Sequence, residues 1–337
     1  MSDFAPVGFL QNPHAQSILA STSLRRLRIY PRARAMLNAS KTVILDCGDG
    51  HQLLGEYSAQ PKRSKGLVTL IHGWEGNARS SYMLSAGGAL YNAGYDIFRL
   101  NLRDHGASHH LNKELFNSAR LSEVIGAIQN IHKTYPHEWH FLAGFSLGGN
   151  FSLRIAAKAQ EMGLNIKQTV AICPVVDPEK TMVALETGWW VYEKYFVRKW
   201  QKSLQKKIRL YPELGYKNNL LKLKTLRDMN HYFIPNHTEF ASPEDYFKAY
   251  SIAGEVLNTL SSPAHIIASQ DDPIILIEDF ARLATNEHLH IETKQYGGHC
   301  GFVKNYQLES WLDERVLEII NLSRFPSGHP SASTVTQ

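Results

Sequence analysis

Residues His140–Gly149 read HFLAGFSLGG. Within this stretch Gly144-Phe145-Ser146-Leu147-Gly148 fits G-x-S-x-G, the pattern of a serine on a sharp turn between a strand and a helix. Glycines flank such a turn because a side chain there would clash. Five residues with three fixed letters also occur by chance, so context decides. Trp139–Phe145 is an apolar, aromatic run that reads as a buried strand. Asn150–Gln160 reads as a helix, with Phe151, Ile155 and Ala159 at four-residue spacing. Strand, turn and helix together would lift the Ser146 hydroxyl off the end of a sheet.

Around this stretch the chain alternates. Thr42–Asp46 and Gln52–Tyr57 read as two strands joined by a hairpin turn at Gly48-Asp49-Gly50. Leu67–Ile71 (LVTLI) is a continuous apolar run, as expected of a strand buried on both faces. A helix over Ser81–Ala93 stopped by Gly94, a strand over Asp96–Leu102 and an amphipathic helix over Leu121–Tyr135 follow. Gln168–Cys173 is a further strand. The alternation predicts an α/β fold, a mostly parallel central sheet with helices on both faces.

The alternation breaks at Pro174. Residues 175–262 are basic and aromatic and lack strand signals, which predicts a helical cap inserted into the α/β core. Its clearest helix runs over Trp189–Leu210, with Tyr192, Phe196, Trp200, Leu204 and Ile208 four apart; shorter helices are expected over Leu220–Leu226 and Tyr246–Tyr250. The core, residues 41–174, resumes over 263–325 with strands Pro263–Ser269 and His288–Gln295 and helices Ile277–Thr285 and Gln307–Ile320. Residues 1–40 show no strong periodicity and are expected to form an arm packed on the core. The Ser-, Pro- and Thr-rich tail, 326–337, is expected to be disordered.

Composition removes several classes of function. The chain has 337 residues, 43% hydrophobic and 20% charged, with a net charge of +5. That charge is mild and no basic recognition motif accompanies it, so no nucleic-acid partner is expected. Three scattered cysteines make neither a disulfide framework nor a zinc site and fit a reducing interior. Sixteen histidines lack any metal-ligand spacing, so neither metal nor cofactor is expected. The N-terminus lacks a secretory pattern and no apolar run approaches the roughly 18 residues of a membrane span. A cytoplasmic location is the expectation.

A serine hydroxyl needs a base, and the base needs an orienting group. On a strand–elbow–helix fold the three follow in the order serine, acid, histidine. Candidates stand after each of the last two strands: Asp271-Asp272-Pro273, then Gly297-Gly298-His299. Either aspartate could orient His299 while the other caps the following turn. Asp272 is favoured, because hydrolases often place the acid just before a Pro-Ile pair. Negative charge on a carbonyl oxygen calls for two backbone N–H donors. The Leu147 amide and the Trp74 amide, in the loop His72-Gly73-Trp74-Glu75-Gly76, suit that role. His72 is expected to brace the loop.

With these residues in place, the chain resembles the YheT-like branch of the α/β-hydrolases. The resemblance rests on FAPVGFLQNPHAQSIL at the start, HGWEG, GFSLGGN, the late DDP and GGHCGF, spanning roughly residues 4 to 320. It departs in Arg103-Asp104-His105-Gly106-Ala107-Ser108, nearer the RGHGxS of general hydrolases. It departs again at Cys300, where an aliphatic residue is common; Cys300 reads as a small buried filler. The resemblance implies an α/β-hydrolase fold with a helical cap and carboxylester hydrolysis.

The expected reaction is therefore ester cleavage through a covalent acyl-enzyme, with Ser146 attacking, His299 as base then acid and Asp272 orienting it. The alternative keeps the triad and delivers the acyl group to an alcohol, amine or thiol. A binding protein with a vestigial elbow is disfavoured by the complete constellation. Trp74, Trp189 and Trp190 are expected to line the pocket, which would favour a small-molecule ester with an apolar acyl or alcohol part. The cap's aromatic and basic residues could instead touch a lipid surface; packing on the sheet is preferred.

Overall fold

The computed structural model describes residues 4–324. In chain order the elements are α1 (Pro13–Leu19), α2 (Ser23–Ala39), β1 (Ser40–Asp46), β2 (Gln52–Ser58), β3 (Leu67–Ile71), α3 (Ser81–Asn92), β4 (Asp96–Asn101), α4 (Leu121–Thr134), β5 (His140–Phe145), α5 (Leu147–Lys158) and β6 (Ile166–Ile172). Then come α6 (Pro178–Thr187), α7 (Trp190–Leu210), α8 (Lys217–Leu220), α9 (Leu226–His237), α10 (Pro243–Tyr250), β7 (Ala264–Ser269), β8 (Leu289–Lys294) and α11 (Trp311–Arg324).

The eight strands form one sheet in the order β1-β2-β4-β3-β5-β6-β7-β8. β1, β2 and β4 pair antiparallel; every pairing from β4 through β3 to β8 is parallel. The strand order reverses at β3, and β3 and β5 lie side by side there. Ligands of open α/β sheets bind at such a switch, beyond the strands' C-terminal ends. The elbow leaves β5 at that place.

Burial explains why the central strands read so clearly. All residues of β3, β4, β5 and β7 are buried, whereas the edge strand β8 is half exposed. Met36, Leu84, Leu90 and Ile319 pack one face of the sheet from α2, α3 and α11. Val124, Ile128, Phe151 and Ile155 pack the other from α4 and α5. Residues of α6–α10 join that second core, including Tyr192, Leu204, Met229 and Phe247.

Three readings change on contact with the structure. The N-terminal segment, for which the sequence predicts no secondary structure, holds two helices. Pro31 sits inside α2, which otherwise lacks a strong apolar stripe, so its sequence carries little helical signal. Residues 175–262 hold α6–α10, but the helix expected over Leu220–Leu226 is a non-helical break between α8 and α9, and α6 and α9 add to the anticipated elements. A Thr225–Asp228 capping box starts α9, and Pro235 near its end interrupts the pattern. The segment after β7 is a 3₁₀ turn, Ile277–Arg282, rather than a helix. The expected disordered tail, 326–337, lies outside the described residues.

Candidate active site

Ser146 follows β5 directly and takes φ 53° and ψ −118°, left-handed backbone that a non-glycine residue adopts only under local constraint. The constraint is close packing. A Cβ on Gly144 would lie 2.1 Å from the Gly148 carbonyl oxygen, and one on Gly148 would lie 2.3 Å from that of Ile71. Only glycines let α5 start this near β3.

The Ser146 hydroxyl donates to His299 Nε2 at 2.9 Å, and His299 Nδ1–H donates to Asp272 Oδ2 at 2.8 Å. These roles follow from the hydrogen-bond network, with the carboxylate fixing the tautomer. The other oxygen of Asp272 accepts the Ile274 and Ile275 amides at 2.8 and 3.0 Å. The neighbouring Asp271 points away from the ring and accepts the Gly298 amide at 2.8 Å. The two aspartates thus divide: one meets the imidazole, the other the backbone of its loop. Burial penalises a charged His299, but Asp272, with a further contribution from Cys300, outweighs that penalty and holds the imidazole well above its usual range.

A second set of residues braces the loop after β3. His72 Nδ1–H donates to the Gly73 carbonyl at 2.7 Å, and Nε2 accepts the Leu102 amide at 3.1 Å. Burial keeps His72 well below its usual range, hence neutral. His105 does the same one loop away, accepting the Glu75 amide at 3.1 Å and donating to the Arg103 carbonyl at 2.6 Å. Tyr82 completes the support by accepting the Gly73 amide at 3.1 Å. Leu147 is the first residue of α5 and Trp74 lies outside any strand; among the described residues neither amide donates to a carbonyl.

A fold with this switch-point serine, paired histidine and buried aspartate has known kin. The family model described as serine aminopeptidase, S33, matches residues 62–297. The chain belongs to that family of α/β-hydrolases.

Among curated relatives, a Dictyostelium discoideum abhydrolase domain-containing protein is 22% identical over 94% of this chain and 80% of its own length. Human phospholipase ABHD3 is 22% identical over 78% of this chain and 65% of its own length. Among solved structures, the Pyrococcus furiosus esterase Pf2001 superposes with a TM-score of 0.56 at 17% identity, covering 85% of this chain and 91% of that one. Est1E of Butyrivibrio proteoclasticus, solved with ferulic acid bound, gives 0.57 at 17% identity, over 84% and 99%. These structures share the fold.

In this α/β-hydrolase a cavity of about 110 Å³ opens over Ser146 and His299. Trp74 lines it, stacked on Phe196 of α7 at 5.0 Å between ring centroids and edge-on to Trp200 at 5.4 Å. Trp189 and Trp190, expected in the same wall, stand outside it. Trp190 begins α7 and is 60% exposed, with Lys194 over its ring at 4.3 Å. Trp189 packs instead on His14 of α1. The inward stripe of α7 begins at Tyr192, so the two tryptophans before it fall beyond the turn that reaches the cavity. Phe116, Phe233, Tyr246, Phe247 and Tyr250 add to the aromatic wall.

Several supporting residues carried no local signal in the sequence. Asn150, at the end of the GFSLGGN run, donates to the Val175 and Tyr250 carbonyls at 2.9 and 2.8 Å. It therefore ties both ends of the helical insertion to α5. Lys207 of α7 is buried and pairs with Asp104 at 2.7 Å, joining the insertion to the loop after β4. Most directly, α1 holds the His299 loop. Ser17 Oγ accepts the His299 amide at 2.8 Å, and the Gln16 side chain bonds both the amide and the carbonyl of Val303 at 2.7 and 3.0 Å. The motif that could have found them is NPHAQSIL, but its partners lie more than 280 residues on.

Proposed function

We propose that this α/β-hydrolase cleaves carboxylic esters through a covalent acyl-enzyme. One observation carries the reading: Ser146, on left-handed backbone, is 2.9 Å from an imidazole whose far nitrogen is 2.8 Å from Asp272. In the first step Ser146 Oγ attacks the carbonyl carbon while its proton passes to His299 Nε2. The oxyanion accepts the Leu147 and Trp74 amides, aimed from a helix N-terminus and a braced loop. Collapse expels the alcohol, which takes the proton from Nε2. Water, deprotonated by the same nitrogen, then attacks the acyl carbon, and Ser146 leaves with the proton. Asp272 stays ionised throughout and stabilises each imidazolium.

The aromatic wall of Trp74, Phe196, Trp200 and Phe233 favours an apolar acyl or alcohol group. The names of the relatives, esterase and phospholipase, agree with ester chemistry. Within the family we place the chain in the YheT-like branch. The support is that its two most specific runs, NPHAQSIL and GGHCGF, meet where Ser17 accepts the His299 amide.

A fluorophosphonate probe tests the reading. It is expected to label the wild type at Ser146 and to leave Ser146→Ala unlabelled; an unlabelled wild type overturns it. Product analysis with an added alcohol separates hydrolysis from acyl transfer: free acid as the dominant product supports hydrolysis, and the new ester as the dominant product refutes it.

A further inference from the structure

Two thiols stand beside His299, and the reaction above uses neither. Cys173 follows β6, and Cys300 follows His299. Both are buried, free and held at left-handed φ, 42° and 57°. Each donates a long sulfur hydrogen bond, Cys173 Sγ to the Gly298 carbonyl at 3.9 Å and Cys300 Sγ to the Ile172 carbonyl at 3.7 Å. His299 Nε2 is 4.0 Å from Cys300 Sγ. The two sulfurs and a ring nitrogen of His299 all lie within 4.8 Å of one another.

We propose that Cys173, Cys300 and His299 form a binding site for a thiophilic divalent cation such as Zn²⁺, and that filling it withdraws His299 from Ser146. Zinc takes thiolate sulfur at about 2.3 Å and imidazole nitrogen at about 2.0–2.1 Å, so tetrahedral ligand atoms sit roughly 3.5–3.8 Å apart. The three atoms reach that spacing by closing about 1.3 Å or less at the side-chain tips.

The outer shell of such a site is already built. Metal-bound histidines commonly donate their second ring N–H to a carboxylate, and Asp272 accepts His299 Nδ1–H at 2.8 Å. That leaves the Nε2 lone pair for a cation. Two thiolates neutralise the double charge, which suits a buried position. Ser146 Oγ, 2.9 Å from Nε2, or a water completes the tetrahedron. Ser146 and His299 line the cavity, so the ion enters by the route open to substrate.

Binding is a ligand exchange. Two Zn–S bonds and one Zn–N bond form, zinc sheds waters and both thiol protons go to solvent. No oxidant is needed, and affinity weakens as pH falls because protons compete for the sulfurs. Binding rests on the geometry alone. The loss of turnover rests also on the role proposed for His299.

The test uses the full chain, reduced and oxygen-free. Co²⁺ alone is added first and read by absorbance. A thiolate-to-cobalt charge-transfer band is expected in the wild type and in Cys47→Ala, the remote third thiol, and no such band in Cys173→Ala or Cys300→Val. Zn²⁺ alone is then titrated against ester turnover. It is expected to abolish wild-type turnover, with recovery on chelation. Each thiol variant keeps its turnover and needs at least about 100-fold more Zn²⁺ for half-inhibition, since a direct ligand is worth more than the outer-shell partner whose loss costs roughly 10–100-fold. Cys300→Ser, close in size, is a second variant should Cys300→Val pack poorly. A wild type without the band, or thiol variants as zinc-sensitive as wild type, overturns the proposal. A band with turnover intact sustains the cation site and counts against His299 as the base.

Discussion

The backbone amide of His299 donates to the Ser17 hydroxyl at 2.8 Å, joining the site histidine to a helix near the start of the chain. Ser17 in turn donates to the Pro13 carbonyl at 2.7 Å. The fit is close: a Cβ on Gly298 would lie 2.4 Å from that same carbonyl oxygen. The His299 loop is therefore moulded on α1. Ser17→Ala is expected to lower kcat about tenfold with KM little changed, since a 1.4 kcal/mol loss of positioning is a factor of about 10. A raised KM with unchanged kcat would contradict a positioning role.

Gln16 holds the same loop further along. Its side chain makes three buried hydrogen bonds, to Leu10 O, Val303 O and Val303 N–H. Gln16→Ala leaves those backbone groups unpaired and is expected to cost roughly 2–4 kcal/mol in denaturant unfolding. A loss below about 0.5 kcal/mol would show that water replaces the side chain.

The two adjacent aspartates are expected to behave differently. Asp272→Asn removes the partner of His299 Nδ1 and should lower kcat by about 10⁴. Asp271→Asn alters an acceptor of loop groups, the Gly298 amide foremost, and should cost far less. Steady-state kinetics of both variants decide the matter, and equal losses would refute the division of roles.

Turnover depends on pH through His299. Asp272 first, and Cys300 after it, hold this imidazole well above its usual range, so the protonated, non-basic form persists to higher pH than for a free histidine. Activity is expected to rise with pH through that raised value. Asp272→Asn takes the carboxylate away and should move the rising limb of its residual activity toward acid. A limb unmoved by the substitution would assign the titration to another group.

Lys207 and Asp104 pair inside the protein between α7 and the loop after β4. Lys207→Met strands a buried carboxylate and should destabilise by roughly 3–5 kcal/mol, measured by denaturant unfolding. Asp104→Asn in the same chain is expected to recover much of that loss. No recovery would mean that the lysine matters chiefly through its bonds to the His109 and Asn112 carbonyls.

What could be read in advance follows from where each element finds its partners. β3 and β5 are buried on both faces, so their apolar runs alone located them to within a residue. The elbow was legible because its glycines answer to contacts within a few residues or on the adjacent strand. Chain order on such a sheet points to His299 and to the Asp271–Asp272 pair, and the Pro-Ile that follows favours Asp272. By contrast, Ser17 and Gln16 act on residues some 280 positions away, and nothing local marks a side chain for a distant partner. Trp189 and Trp190 show the same limit. An aromatic run marks a helix that packs, but which residues face the cavity depends on where the first turn begins, and α7 begins at Trp190.

Trapping the covalent intermediate tests the central claim most directly. Wild-type protein mixed with a chromogenic aryl ester and quenched within the first turnover is read by intact mass and peptide mapping. The account predicts one acyl group per chain, attached to Ser146, with a stoichiometric burst of the aryl alcohol. An unmodified chain during turnover, or an acyl group on Cys300 instead of Ser146, would contradict it.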